Sequence, residues 1–167
     1  MALFDFLKGK EQQIAVAYPV VLEAVARGEC VPMEQIPDPV FSTGVLGVCC
    51  GINPTEGKVY APIDGKISQV MDTLHAVGIE AGDIEILIHV GVDTVDMKGK
   101  GFTSEIEVGQ KVKKGDLLLT MDLDEIHAAG HADTVILAVV NSDDFSVVDV
   151  IAEGEVKPGI GIMQINK

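Results

Sequence analysis

Ile84–Phe102 reads Ile-Glu-Ile-Leu-Ile-His-Val-Gly-Val-Asp-Thr-Val-Asp-Met-Lys-Gly-Lys-Gly-Phe. Its opening residues alternate, with Ile84, Ile86, Ile88 and Val90 on one face and Glu85, Leu87 and His89 on the other. A period of two predicts a strand with one buried face. His89 stands near the end of that strand, where packing fixes its ring, and Gly91 follows without side-chain bulk. Asp93 and Thr94 then open a polar, glycine-rich return to Phe102. A histidine held this way suits nucleophilic, acid–base or metal chemistry.

The chain around this stretch has 167 residues, enough for one domain with a real core. It is 47% apolar but only 4% aromatic and lacks tryptophan, so that core is aliphatic. Eighteen glycines and seven prolines, spread evenly, suggest many short strands joined by tight turns. The net charge of −14 argues against nucleic acid or an anionic membrane as main partner and favours a protein with a basic face. Cys30, Cys49 and Cys50 are odd in number and form no C-x-x-C, which suits neither a disulfide framework nor a zinc site and fits a reducing cytoplasm. The apolar run Ile14–Ala26 is broken by Pro19 and Glu23 and is too short to span a bilayer. Asp5 interrupts the N-terminal apolar residues, so the reading is a cytoplasmic protein without a signal peptide. Met1–Lys10 carries Leu3, Phe4, Phe6 and Leu7 beside Asp5, Lys8 and Lys10, and reads either as a weakly amphipathic turn at a membrane surface or as a flexible terminus. Residues 11–167 are expected to form a single domain.

Along that domain, Ile14–Val21 predicts a first strand and Leu22–Arg27 a helical turn or wide loop. Val31–Phe41 holds Pro32, Pro37 and Pro39 and is expected to be extended or turning rather than helical. It delivers Asp38, Val40 and Phe41 to a surface, with Phe41 either an exposed docking point or core. Gly44–Asn53 predicts a buried strand, and Asp64-Gly65 within Ala61–Gly65 is a hairpin signal. If Met71–Ala76 is extended, Thr73 and His75 point the same way. Val108–Met121 and Ala152–Ile165 echo each other, each bringing a glycine, then Val-x-x-Gly, then an apolar run, which predicts two hairpins entering strands. Asp122–His131 is the one convincing helix, acidic at its start as the helix dipole prefers. Val135–Val140 and Ser146–Val150 complete the strands. The sum is an all-β fold, an antiparallel β-sandwich or flattened barrel with hairpin repeats and very little helix. His127 and His131 are spaced i, i+4 on the predicted helix but lack the glutamate of a zinc-protease helix, and read as solvated surface.

His75 and His89 are different, each beside a β-rich segment and each followed by small residues. The segment His89-Val90-Gly91-Val92-Asp93-Thr94-Val95, after Glu85–Ile88 and before Lys98-Gly99-Lys100-Gly101-Phe102, closely resembles the phosphorylation-site signature of the glucose-family IIA proteins of the bacterial phosphoenolpyruvate:sugar phosphotransferase system. The resemblance continues through Pro37-Asp38-Pro39-Val40-Phe41, Ala61–Gly65, Thr73-Leu74-His75-Ala76 and Val108-Gly109-Gln110. Leu74 replaces a frequent Asn, Asp83 a usual Gly and Met97 a usual Leu, while Leu22–Ala26 reads as a small insertion.

The resemblance implies a sandwich of the duplicated hybrid motif type and a phosphoryl relay. The small phosphocarrier protein HPr would donate to His89 through Nε2, and phospho-His89 would pass the group to a cysteine on the IIB domain of a sugar permease, the chain's link to the membrane. By the same resemblance His75 would hydrogen-bond the phosphoryl oxygens, with Thr73 holding its far nitrogen. Asp38 and Asp93 would attract a basic residue of HPr, and Val40 and Phe41 would supply an apolar rim. Backbone amides near Gly91 would add phosphate donors. No cofactor is expected, although two facing imidazoles allow incidental zinc at His75 and His89 with a third ligand from elsewhere. Two other classes compete: a biotinyl- or lipoyl-like carrier domain, for which Met97-Lys98 is a partial attachment match, and a zinc-dependent hydrolase, half of whose motif is His89-x-x-x-Asp93.

Overall fold

A computed structural model gives the fold over residues 15–167, so the expectations for Met1–Lys10 and for Ile14 lie outside the described residues. The strands are β1 (Val20–Glu23), β2 (Gly28–Pro32), β3 (Val48–Pro54), β4 (Lys58–Tyr60), β5 (Gly65–Val70), β6 (Ala76–Ala81), β7 (Ile84–Val90), β8 (Phe102–Thr103), β9 (Lys111–Val112), β10 (Leu117–Met121), β11 (Val135–Val139), β12 (Val147–Val150), β13 (Gly154–Val156) and β14 (Gly161–Asn166). Two short helices, α1 (Pro39–Ser42) and α2 (Leu123–Ala128), lie among them. The strands form an eight-stranded sheet, ordered β13-β2-β3-β11-β7-β6-β5-β9, and two three-stranded sheets, β1-β14-β12 and β4-β10-β8. The all-β, antiparallel expectation holds. Among the described residues no helix is long and apolar enough to cross a membrane.

The middle of the large sheet is the pair β7 and β11, in register from Val135 opposite Val90 to Val139 opposite Ile86. β11 is Val-Ile-Leu-Ala-Val and is buried throughout, because both sides of the sheet are covered there. One side carries the main core, including Ile52, Ile79, Ile86, Ile88, Val90 and Leu137. The other carries a smaller cluster of Ile36, Phe41, Cys49, Ile136 and Ala138, onto which Met33, Leu46 and Leu87 pack. The face of β7 opposite the main core is therefore not uniformly solvated: Glu85 is exposed, but Leu87 packs on the smaller cluster.

The segment over the smaller cluster is not extended. Met33–Gln35 is a 3-10 helix, and Pro39 occupies the first position of α1. Proline is compatible with a helix start, where its missing N–H has no intrahelical acceptor. Asp38 caps α1 by accepting from Val40 N at 2.9 Å, and Thr43 Oγ1 donates to Pro39 O at 2.6 Å. After α1, residues 44–47 are turn, with Gly47 N donating to Gly44 O at 3.0 Å, so β3 begins later than predicted. Residues 22–26 form no helical turn. Glu23 N, Ala24 N and Val25 O bond to Pro62 O, Ile160 O and Tyr60 N, and Leu22, Ala24, Val25 and Ala26 are fully buried.

The two echoing stretches are equivalent, but neither is a hairpin. β9 and β13 lie at the two outer edges of the large sheet, whereas β10 and β14 are the middle strands of the two small sheets. Gly115 (φ +86°) and Gly159 (φ +101°) turn the chain from one sheet into another. The order β13-β2-β3-β11 is matched by β9-β5-β6-β7. The echo is the visible part of a duplicated architecture. Asp64-Gly65 fails as a hairpin tip for the same reason, since β4 and β5 belong to different sheets. Asp64 Oδ1 instead accepts from Lys114 N at 2.9 Å. A Cβ on Gly65 would stand 2.6 Å from Ile79 Cγ2 and 2.8 Å from Glu80 O, so glycine here permits close strand approach. The helix after β10 forms as predicted, with Asp122 accepting from Glu125 N at 3.1 Å. It ends at Ala128, before Gly130 (φ +83°) turns the chain, so His127 and His131 share no helix face. His127 pairs with Asp133 at 2.7 Å.

Two glycines separate packing from backbone strain. A Cβ on Gly57 would fall on the Met121 carbonyl oxygen, whereas one on Gly109 (φ +92°) would meet open space. Gly57→Ala is expected to cost about 2–3 kcal/mol by overpacking, and Gly109→Ala about 1 kcal/mol from its backbone conformation alone. Urea unfolding of both variants checks the order, and equal losses would refute it.

Candidate active site

His89 leaves β7 on the side of the smaller cluster, opposite Ile136 of β11 and Ala76 of β6. The Phe41 ring lies 5.0 Å from the imidazole, centroid to centroid. His89 Nδ1 stands 2.8 Å from the Gly91 carbonyl oxygen. A carbonyl only accepts, so Nδ1 carries the proton and Nε2 keeps its lone pair. Gly91 makes this possible by taking φ +76°, which turns its carbonyl back to the ring two residues behind it. Its N–H, however, donates to Thr134 O at 2.9 Å, and that of Val92 to Ala132 O at 3.0 Å. The expected phosphate-binding role of the Gly91 amide is thereby corrected, because that donor is already engaged. Gly91 serves the site through its carbonyl.

His75 reaches the same place by a turn rather than a strand. Leu74 N donates to Met71 O at 2.8 Å and Met71 N to Ala76 O at 3.1 Å, so residues 71–75 curl before β6 begins. The curl still brings Thr73 Oγ1 onto His75 Nδ1, as extension was expected to do. His75 is 7% exposed, and its ring stands 5.2 Å from that of His89, nearly perpendicular at 79°. His75 O accepts from Val90 N at 2.7 Å, which ties this turn to the end of β7. Leu74 sits at φ +58°, a left-handed conformation that Asn adopts far more readily than a branched residue. That explains the Asn frequent there in the resembled family, and Leu74 is held by packing against the main core.

The electrostatics favour neutral rings. Burial pushes the His75 pKa below its ordinary value. For His89 burial is again the largest influence and lowers the pKa, helped by the neighbouring His75, while the Gly91 carbonyl, Asp38 and Asp93 oppose it. Asp38 comes from the cap of α1, and Asp93 is a left-handed residue (φ +59°) after β7. Phe41 is 3% exposed and belongs to the smaller cluster, so the expected Phe rim is corrected: this ring packs under His89 rather than facing a partner. Exposed apolar surface comes from Val40, and from Val45 and Val95, which sequence reasoning passed over. Val95 signals itself as a lone valine between Thr94 and Asp96, whereas Val45, beside Leu46, carries no such signal. Cys49, also overlooked, donates its Sγ–H to Phe41 O at 3.3 Å and holds the covering segment down. Among the described residues no group of three or more His, Cys, Asp or Glu side chains is placed to hold a metal ion. His75 and His89 bring two nitrogens, one fewer than catalytic zinc takes from protein.

Comparison with known proteins places this geometry in a family. Residues 20–145 match the EIIA 1 family of the phosphoenolpyruvate-dependent sugar phosphotransferase system. A glucose-specific EIIA component from Staphylococcus epidermidis is 42% identical over 142 residues, covering 84% of each chain. A beta-glucoside-specific EIIBCA component from Dickeya chrysanthemi is 41% identical over 139 residues, which are 83% of this chain but 22% of that protein. The chain thus spans about a fifth of the length of this multidomain relative. Glucose permease IIA from Mycoplasma capricolum superposes with a TM-score of 0.79 at 30% identity, covering 89% of this chain and 96% of its own. The chain belongs to the EIIA 1 family and is a phosphotransferase component of the sugar phosphotransferase system.

Proposed function

We propose that His89 is the phosphoryl-accepting residue of this component, taking the group from phospho-HPr and passing it to a cysteine of a IIB domain. The observation that carries the reading is the bond from His89 Nδ1 to the Gly91 carbonyl, which leaves Nε2 as the nucleophilic nitrogen. The Nε2 lone pair attacks phosphorus, the bond to the donor imidazole breaks, and its electron pair returns to the donor ring. In the second transfer a IIB thiolate displaces His89 in the same manner. Neither step requires net proton movement on His89, because Nδ1 keeps its proton throughout.

His75 is the group placed to meet the phosphoryl oxygens. In this reading the Thr73 hydroxyl, which lies against His75 Nδ1, donates to it, so that the ring proton stands on Nε2 and makes that nitrogen a donor. Phosphoryl transfer depends mainly on in-line placement and charge stabilisation, and a perpendicular neighbour 5.2 Å away supplies a donor without crowding the nucleophile. Asp38 and Asp93 give the surroundings negative charge, and Val40, Val45 and Val95 give them apolar surface. A basic protein with an apolar centre complements that combination. The EIIB and EIIC parts named in the Dickeya relative support a IIB domain as acceptor. The chain would act in the cytoplasm and meet the membrane through its permease.

His89→Ala is expected to abolish labelling by phosphoenolpyruvate, enzyme I and HPr, and an unlabelled wild type would overturn the reading. His75→Ala should still be labelled but hand the group to a IIB domain roughly 100-fold more slowly, the usual loss when one transition-state donor goes. The pH dependence follows from the lowered pKa of His89. Its neutral form, which alone is nucleophilic, persists below the ordinary value of 6.5. Label uptake should be flat from neutral pH down through 6.5, with the acid limb beginning lower. Stability has the same sign: as pH falls below 6.5 the unfolded chain binds protons that folded His75 and His89 resist, so both histidines favour unfolding there. Rapid-quench labelling from pH 5 to 8 reads the first effect and urea titration the second.

A further inference from the structure

Among the described residues the buried polar side chains are His75, Thr94 and Thr134. All three belong to residues that bond to the last turn of β7 or the peptide after it. His75 O accepts from Val90 N, Thr134 O accepts from Gly91 N, and Thr94 Oγ1 donates to Val90 O. The first two hold the strand by backbone groups. Thr94 acts with its side chain, and that side chain is fully sealed from water.

The fit between Thr94 and Gly91 is specific in shape as well as polarity. The Thr94 methyl occupies the place where a Cβ on Gly91 would project, so the two residues are complementary across the turn. The hydroxyl then ties residue 94 to the carbonyl four residues before it, one peptide away from the carbonyl that receives the His89 proton. Hydroxyl and methyl thus join the bonds of Gly91 N to Thr134 O and of Val92 N to Ala132 O in holding the peptides on either side of Gly91. A buried carbonyl deprived of its donor gains by rotating towards another one, and rotation here would carry the Gly91 carbonyl away from Nδ1.

We propose that Thr94 is a positioning residue for the reactive tautomer of His89: its buried hydroxyl fixes the turn that aims the Gly91 carbonyl at Nδ1, and so keeps the Nε2 lone pair free. The inference deepens the phosphoryl-relay reading and rests on it for its rate consequence, but the tautomer is measurable without any phosphoryl donor.

The experiment compares wild type with Thr94→Val, which keeps the shape and loses the hydroxyl, and Thr94→Ser, which keeps the hydroxyl. Nitrogen-15 NMR of the neutral His89 ring reports which nitrogen carries the proton. Wild type and Thr94→Ser should show Nδ1 protonated, and Thr94→Val should show a growing share of the Nε2-protonated form. Labelling by phospho-HPr should fall about tenfold or more in Thr94→Val, the scale of a misplaced reacting group, and recover in Thr94→Ser. A folded Thr94→Val with the wild-type tautomer overturns the proposal, as does a shifted tautomer with unchanged labelling. Should Thr94→Val fail to fold, Thr94→Ser decides alone, because a tautomer shift there would deny the hydroxyl its role. A wild type that shows the Nδ1-protonated ring yet takes no phosphate would sink the relay reading and leave the positioning role to the spectra.

Discussion

The hydrogen bond from His89 Nδ1 to the Gly91 carbonyl closes within three residues, so its geometry depends on the backbone between them. That backbone is fixed from four directions: His75 O on Val90 N, Thr94 Oγ1 on Val90 O, Thr134 O on Gly91 N and Ala132 O on Val92 N. The left-handed φ of Gly91 is compatible with all four at once, and a residue with a Cβ is not, because the Thr94 methyl fills the space. Glycine is therefore required here twice, by conformation and by packing.

These anchors are only as steady as the strands that bear them. β7 lies between β6, which begins just after His75, and β11, which is preceded by Thr134. The pairing of β7 with β11 also joins the two matched halves of the large sheet, so the site stands where the duplicated architecture meets itself. β11 is buried on both faces, so the strand beside β7 is packed from two sides. The smaller cluster under Phe41 adds what an ordinary one-faced sheet would lack, an apolar floor beside a histidine that still reaches solvent.

Much of this was legible in the sequence, for reasons that differ by element. The β7 strand rests on local periodicity and the helix after β10 on an acidic first turn; both form, but the helix stops at Ala128 rather than His131, because Gly130 turns the chain. The echo between Val108–Met121 and Ala152–Ile165 was recognised but misread, because glycine spacing marks where a chain turns and not which sheet it enters. Asp64-Gly65 misled in the same way: strand partners lie far along the chain, and no local signal names them. Phe41 and α1 show a third limit. Three prolines in the eleven residues Val31–Phe41 argue for extension, and the structure uses one of them to start a helix that folds the Phe ring under His89. Leu74 is the clearest lesson about departures from a family pattern. Its strangeness beside the expected Asn was visible in the letters, but its meaning, a left-handed backbone at the turn that brings Thr73 to His75, was not.

The choice of a carbonyl rather than a carboxylate as the partner of His89 Nδ1 has a physical consequence. A carboxylate there would fix the same tautomer, but it would also stabilise the imidazolium and raise the pKa, drawing the ring towards a form with no lone pair. A neutral carbonyl orients the ring with a much weaker bias towards protonation, and burial outweighs that bias. The carboxylates that the site does hold, Asp38 and Asp93, influence the ring without being its hydrogen-bond partner at Nδ1. In the proposed relay the group is accepted and then surrendered, so this balance matters more than raw nucleophilicity. A ring held strongly as imidazolium would accept slowly, and one with an unfixed tautomer would carry its proton on Nε2 much of the time and offer the wrong nitrogen.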